Sequence, residues 1–353
     1  MGLKRIPFNL KNRHVMAPMT RCLSKSCGSP TKPLAKYYIS RSRKDLGLII
    51  VESCAVNATD SLGYKYGCQL NNLKHAEAWA PIIEEIHKNG TKIWVQLFHP
   101  GRLTVPEICN CTPIAPTALK PLEQPSFWRP KLNNEIVHFQ SRTPFVRPKE
   151  MTLQEIDKVI NDFKNSCILA EIAGFDGIEL HGAHGYLIHQ FCNKISNARN
   201  DDYGFNGNFI FSSRLVELCK SNISKSMILS YRISKHFIDH YYLSIAEMCL
   251  DRLIPKLDNL GIDVFHSSEL KVGEINDRSG LTLGQKIRKY TNKPIIGCGG
   301  LHSVEHANSI MQKHSCYDLM AFGRSLIVKN RIPIKSMKPP TFCYEELFNL
   351  NKY

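Results

Sequence analysis

Apolar residues recur along the chain in short runs of strand length, separated by longer segments in which they return every three or four positions. His14–Met19, Leu46–Ser53, Lys92–Phe98, Gly177–His181, Ile228–Ser234, Val264–Ser268, Pro294–Cys298 and Leu319–Phe322 read as strands, several of them apolar almost throughout. That is the pattern of a parallel sheet covered on both faces. Thr152-Leu-Gln-Glu155 reads as a capping box. Ile156, Val159, Ile160, Phe163, Cys167 and Ala170 follow on one helical face, with Gly174 as the C-terminal cap. Ser244-Ile-Ala-Glu247 repeats the capping signal, and Pro255 is expected to kink or shorten the helix behind it. Trp79, Ile82, Ile83 and Ile86 form another stripe, closed by Gly90.

Eight alternating strand and helix units predict an α/β fold, a (β/α)8 TIM barrel formed as a single domain over residues 1–335, with 336–353 as a C-terminal tail packed on it. A doubly wound sheet is disfavoured. Its glycine fingerprint is missing where the first strand runs into Ala17-Pro18-Met19-Thr20-Arg21. One connection is unusual: Arg102 to Pro148 holds Pro106, Pro113, Pro116, Pro121, Pro125, Pro130 and Pro144 and no convincing helix. So long a loop after strand 3 leaves the C-terminal end of the barrel, where barrel enzymes build their sites, and it reads as part of the active-site wall.

Composition narrows the field. With 43% hydrophobic and 22% charged residues the chain can bury a core, which excludes disorder. No apolar run approaches the ~18 residues of a membrane helix, and the N-terminus lacks a signal-like stretch, so the expectation is a cytoplasmic protein with no membrane association. Thirteen scattered cysteines are expected to be reduced, mostly as buried small hydrophobes; the C-x-C pair Cys109 and Cys111 lacks a second pair for a zinc or iron–sulfur site. The net charge of +15 is spread over modest clusters (Lys4–Arg13, Arg41–Lys44, Arg142–Lys149, Lys329–Lys338). That favours anionic cofactors or substrates over nucleic acid.

The densest polar cluster follows strand 4, where His181, His184 and Tyr186 should meet at the catalytic face. Glu179, His181, His184 and His189 are all metal-ligand types, but the spacing is not that of a helical zinc motif, and no metal is expected. Two neutral imidazoles could donate to one substrate oxygen, with the tyrosine as general acid; a plain structural role for this cluster stays open at this point. Thr20, Ser53 and Gln96 close strands 1 to 3, and Arg232 interrupts the apolar strand 5, where an unpaired charge would be costly. Gly299 and Gly300 end strand 7, and Gly323 with Arg324 ends strand 8, the usual phosphate site of such barrels.

Six segments occur in order: Asn12–Arg21, Leu48–Ser53, Gln96–Arg102, Ala173–Leu187, Tyr231–Ser234 and Phe322–Arg324. Together they resemble the old yellow enzyme family of FMN-dependent ene-reductases over about residues 5–330. The resemblance implies non-covalent FMN lined by Ala17, Pro18 and Met19, with Thr20 near its O4/N5 edge, Ser53 at its border and Gln96 on its pyrimidine edge. It places Arg232 by N1 and O2, and Gly299, Gly300, Gly323 and Arg324 around the phosphate. It also implies ping-pong turnover: NADPH or NADH as reductant, then an α,β-unsaturated carbonyl whose oxygen is held by His181 and His184 and whose α-carbon is protonated by Tyr186. Phenolates stacking on the oxidised flavin of this family give a long-wavelength charge-transfer band.

The alternative from the same fold is an FMN reductase or oxidase using O2, a quinone or a nitro compound. Expected partners are therefore NAD(P)H and a small enone or quinone; a homo-oligomer is compatible with the sequence. The chain departs from the family at Phe205-Asn-Gly-Asn-Phe-Ile-Phe-Ser-Ser-Arg214, where Gly-Ser-x-Glu-Asn-Arg is usual, and at Cys22, a substrate-facing tyrosine in some members.

Overall fold

The computed structural model describes residues 7–43, 45–121, 131–132, 135–136, 145–237, 249–275, 279–328 and 331–334. Eight strands carry the architecture: β1 (His14–Met16), β2 (Leu48–Ala55), β3 (Lys92–Phe98), β4 (Gly177–His184), β5 (Ile228–Phe237), β6 (Val264–Ser268), β7 (Ile295–Cys298) and β8 (Leu319–Phe322). They pair in parallel and close into a barrel in the order β1-β8-β7-β6-β5-β4-β3-β2. The helices α1 (Lys32–Ser42), α2 (Leu73–Lys88), α3 (Leu153–Ala173), α4 (Ile210–Ser221), α5 (Leu250–Asn259), α6 (Leu283–Arg288), α7 (Val304–Lys313) and α8 (Arg324–Val328) alternate with them. This is the (β/α)8 barrel read from the apolar periodicity.

Strand alternation divides the core. Val15, Leu48, Ile50, Trp94, Val264, Ile296, Leu319 and Ala321 form one buried cluster, the inward set. Their neighbours, among them Ile49, Val51, Val95, Leu180, Leu229 and Phe265, pack with the helix faces of α2, α3 and α4. Burial of each such side chain contributes roughly 1.5–3 kcal/mol. Gly177 is dictated by this packing: a Cβ there would lie 2.7 Å from Trp94 Cδ1. The Thr152–Glu155 capping box is formed, and Gly174 ends α3 at φ 91°.

Four expectations change. The strands β4 and β5 run past His181 and Ser234 to His184 and Phe237, because a register shift between Gly182 and His184 lets the ladder continue. Pro255 lies inside α5, which continues past it to Asn259; proline removes the amide that would bond the carbonyl of exposed Asp251. The Ser244–Glu247 capping box lies outside the described residues, as do most of residues 122–144 and the tail.

The loop after β3 does contain a helix, Pro106–Cys109, started by proline and ended by Asn110 in the left-handed region. That turn brings Cys109 and Cys111 together as a disulfide, where reduced thiols were expected. Of the other described cysteines, Cys22, Cys54, Cys68, Cys167, Cys192, Cys219, Cys298 and Cys316 are buried, as expected of small hydrophobes. Among the described residues no helix is long and apolar enough to cross a membrane.

Candidate active site

Barrel register builds the floor of the site. Ser53, Gln96, Glu179 and Ser230 are partners across β2 to β5, and one layer further along His181, Arg232 and His266 are partners across β4 to β6. Glu179, fully buried, accepts from Gln96 Nε2 at 2.8 Å and meets His266 Nδ1 at 2.6 Å. Burial alone would raise its carboxyl pKa, but the neighbouring His266 and Arg232 outweigh it and keep the group ionised. Burial likewise works against charge on His266, and the Glu179 carboxylate prevails, raising that imidazole. One Gln96 N–H is thereby committed to Glu179, and its carbonyl oxygen can accept from a ligand N–H. Arg232 donates through Nη2 to Ser268 Oγ at 3.1 Å, while its buried Nε has no protein partner.

His181, His184 and Tyr186 converge at the end of β4. Ring centroids lie 5.2 Å apart for the two histidines and 4.8 Å for His181 and Tyr186. His184 adopts φ 61° at the register shift, a conformation histidine tolerates better than bulky or branched residues. Both imidazoles are held well below their usual pKa, by burial first and then by the Arg232 cation, so both are neutral at physiological pH.

Their tautomers follow from their neighbours. The Ala183 amide donates to His181 Nδ1, leaving Nε2–H as the His181 donor. Ser268 Oγ accepts from Arg232 and lies 2.8 Å from His184 Nε2; where its hydroxyl donates to that nitrogen, His184 carries its proton on Nδ1. In that arrangement each ring keeps one N–H for a ligand oxygen. Tyr186, only 5% exposed, packs edge-on against Phe98 at 5.4 Å and hydrogen-bonds the Tyr64 hydroxyl at 2.6 Å.

At the adjacent strand ends, Thr20 Oγ1 lies 3.3 Å from Ser53 Oγ. The segment Ala17–Thr20 is anchored on both sides: Ala17 donates to the Phe322 carbonyl at 3.0 Å, and Arg21 N donates to Glu52 Oε2 at 2.9 Å. Glu52 is wholly buried at the bulge of β2, and desolvation pushes its carboxyl up to about 7 despite bonds from Arg21 and Tyr38. A folded-state pKa raised above the unfolded value gives stability that is complete below about 4.5 and is lost as pH rises through about 7. The loss should reach about 3 kcal/mol. Denaturant titrations across that window should show it, and Glu52→Gln should flatten it.

After β7, Gly299 and Gly300 have φ 142° and 63°, and a Cβ on Gly299 would sit 2.1 Å from the Glu269 carbonyl oxygen. Gly323 follows β8, its α-carbon face turned to Met19 Sδ, and exposed Arg324 begins α8.

Residues 3–338 match the model of the NADH:flavin oxidoreductase / NADH oxidase family. The chain belongs to this family. It is 30% identical over 340 residues to an NADH oxidase of Thermoanaerobacter brockii, covering 93% of this chain and 48% of that protein. The chain therefore spans about half the length of that relative. It is 30% identical over 344 residues to 12-oxophytodienoate reductase 2 of Arabidopsis thaliana, covering 92% and 84%. The solved old yellow enzyme homologue from Zymomonas mobilis superposes with a TM-score of 0.77 at 25% identity, covering 92% and 88%. The old yellow enzyme resemblance of the sequence holds, and with it a place among flavin-dependent oxidoreductases.

Within this family member, sequence reasoning missed Glu52, Tyr64, His266 and Ser268. Glu52 and His266 interrupt apolar strands just as Arg232 does, and that signal could have marked them. Tyr64 lies in a loop with no periodicity to place it. Glu179 was noticed only as a ligand type; it belongs to the floor. His189 accepts from the Gly185 amide and holds the turn that carries Tyr186. The atypical 205–214 segment starts α4 from Phe209 in the left-handed region, with Arg214 bonded to Asp157 and the Tyr203 hydroxyl.

Proposed function

We propose that this chain is an ene-reductase that holds FMN non-covalently at the C-terminal mouth of the barrel and takes reducing equivalents from NADPH or NADH. Its acceptor is the activated C=C bond of an α,β-unsaturated carbonyl compound. The observation that carries this reading is the meeting of two neutral imidazoles beside a buried phenol. The residues present fit FMN: the buried Arg232 Nε lacks a protein partner, and Gln96 keeps a carbonyl oxygen.

FMN, when bound, supplies the hydride for the β-carbon. The chain's own groups do the rest. His181 Nε2–H and His184 Nδ1–H hold the carbonyl oxygen and stabilise the negative charge that develops on it. Burial, and then Arg232, keeps both rings neutral, and Arg232 presents its charge to an anion bound over the floor. Thr20 and Ser53 offer hydroxyls, Ala17, Pro18 and Met19 a backbone edge, and Gly299, Gly300, Gly323 and Arg324 a phosphate cradle. Tyr186 O–H holds the proton destined for the α-carbon, and Phe98 shields it from water.

Mixing NADPH-reduced, FMN-loaded protein with cyclohexenone, and separately with O2 or a quinone, tests the reading. Enone reoxidation faster than oxygen reoxidation is expected. Rapid oxidation by O2 or quinone with no enone turnover would replace it by the oxidase reading, which the NADH oxidase relative supports.

Arg324→Ala should weaken FMN retention by roughly 10- to 100-fold, because a charge-assisted contact to phosphate is lost and the anion stays uncompensated. Dialysis followed by flavin quantitation measures this. Turnover per bound flavin should stay close to wild type.

A further inference from the structure

We propose that Tyr64 positions and recharges Tyr186: its hydroxyl donates to the Tyr186 oxygen, stabilises the phenolate left after proton delivery, and passes on a proton taken from solvent. This rests on the reading of Tyr186 as proton donor. The two hydroxyls are 2.6 Å apart, within the range of a short O–H···O⁻ bond. Tyr64 reaches across from the loop after β2, and its ring is stacked on Phe98 at 6.1 Å and 28°, the same ring that meets Tyr186 edge-on. Phe98 therefore fixes both phenols in one geometry.

The need for such a partner follows from burial. Tyr186 is 5% exposed, so a phenolate formed there loses hydration, and an unpaired buried anion is costly. Tyr64 is half-buried and followed by exposed Lys65 and Tyr66, so it bridges the interior phenol and the rim. Burial, with the Tyr186 phenol beside it, raises the Tyr64 pKa well above its usual value, so the resting Tyr64 carries an O–H that can donate to a Tyr186 phenolate 2.6 Å away. The transfer balances: an O–H bond breaks on Tyr64 as one forms on Tyr186, and the Tyr64 oxygen takes H⁺ from water at the rim, whose hydroxide is neutralised by the bulk buffer.

Tyr64→Phe keeps the stack on Phe98 and removes one oxygen. Enone turnover should fall roughly 10- to 100-fold, the worth of a hydrogen bond to a charged group, with the enone KM and quinone reoxidation near wild type. Independently of activity, NMR of protein carrying 13Cζ-labelled tyrosine, with the Tyr186 signal assigned through Tyr186→Phe, should show Tyr186 ionising at higher pH in Tyr64→Phe than in wild type. An unshifted Tyr186 titration overturns the proposal, as does a loss confined to KM, which would make Tyr64 a wall of the pocket. If wild type reduces no enone, the ene-reductase reading fails by itself, and the NMR titration still decides the tyrosine pair.

Discussion

Tyr186→Phe should slow enone reduction by roughly 10²–10⁴-fold, the usual contribution of a positioned general acid, while a quinone reoxidises the reduced protein at close to the wild-type rate. The substitution removes a single atom from a ring whose packing against Phe98 and His181 is aromatic throughout, so the fold and the floor of the site should survive. Reduction of the enzyme by NADPH asks no proton of this residue. Only the acceptor that needs protonation at carbon loses its donor, and no second acid replaces it from the imidazoles: both are held neutral by burial and Arg232. A neutral imidazole N–H can hold an oxygen but is a poor acid toward carbon. The ratio of enone to quinone turnover, from stopped-flow traces of one preparation, is therefore the quantity to measure. An unchanged ratio would remove Tyr186 from proton delivery.

The barrel was legible because its strands are buried on both faces and so carry long apolar runs; β3, β6 and β8 have the bounds the sequence implied. The ends of β4 and β5 were not legible, since they continue through a register shift that depends on two strands at once. The same holds in the site. His181, His184 and Tyr186 sit within one short segment, so their meeting could be read from spacing alone. Glu179 with His266, Glu52 with Arg21, and Tyr64 with Tyr186 join residues 87, 31 and 122 positions apart. Closure of the barrel creates those contacts, and no local pattern announces them. The disulfide between Cys109 and Cys111 was missed for the opposite reason: it closes locally across Asn110, which takes the left-handed conformation, inside a loop without periodicity.

The His181→Ala/His184→Ala double variant should keep FMN and lose phenol and enone binding by roughly 10²–10⁴-fold, as each lost N–H donor to a charged oxygen is worth about 1.5–3 kcal/mol. FMN retention should survive because the floor does not depend on either ring. Glu179 still holds Gln96 and His266, and Ser268 still accepts from Arg232 after it loses its histidine partner. The long-wavelength band that a bound phenolate gives in this family is the direct readout, since it requires the ligand in the site and no turnover. Truncating one ring alone should cost less than half of the full effect, because the remaining donor can recentre on the oxygen. The pH dependence separates this arrangement from one with a charged histidine. With both imidazoles neutral, wild-type binding should follow the ionisation of the phenol itself, with no additional step in the usual histidine range near 6.5. A step there would mean that one ring is protonated in the free protein, and the anion would then be held by charge. A band undiminished in the double variant would assign oxygen recognition to other residues and leave the convergence at the end of β4 with only a structural role.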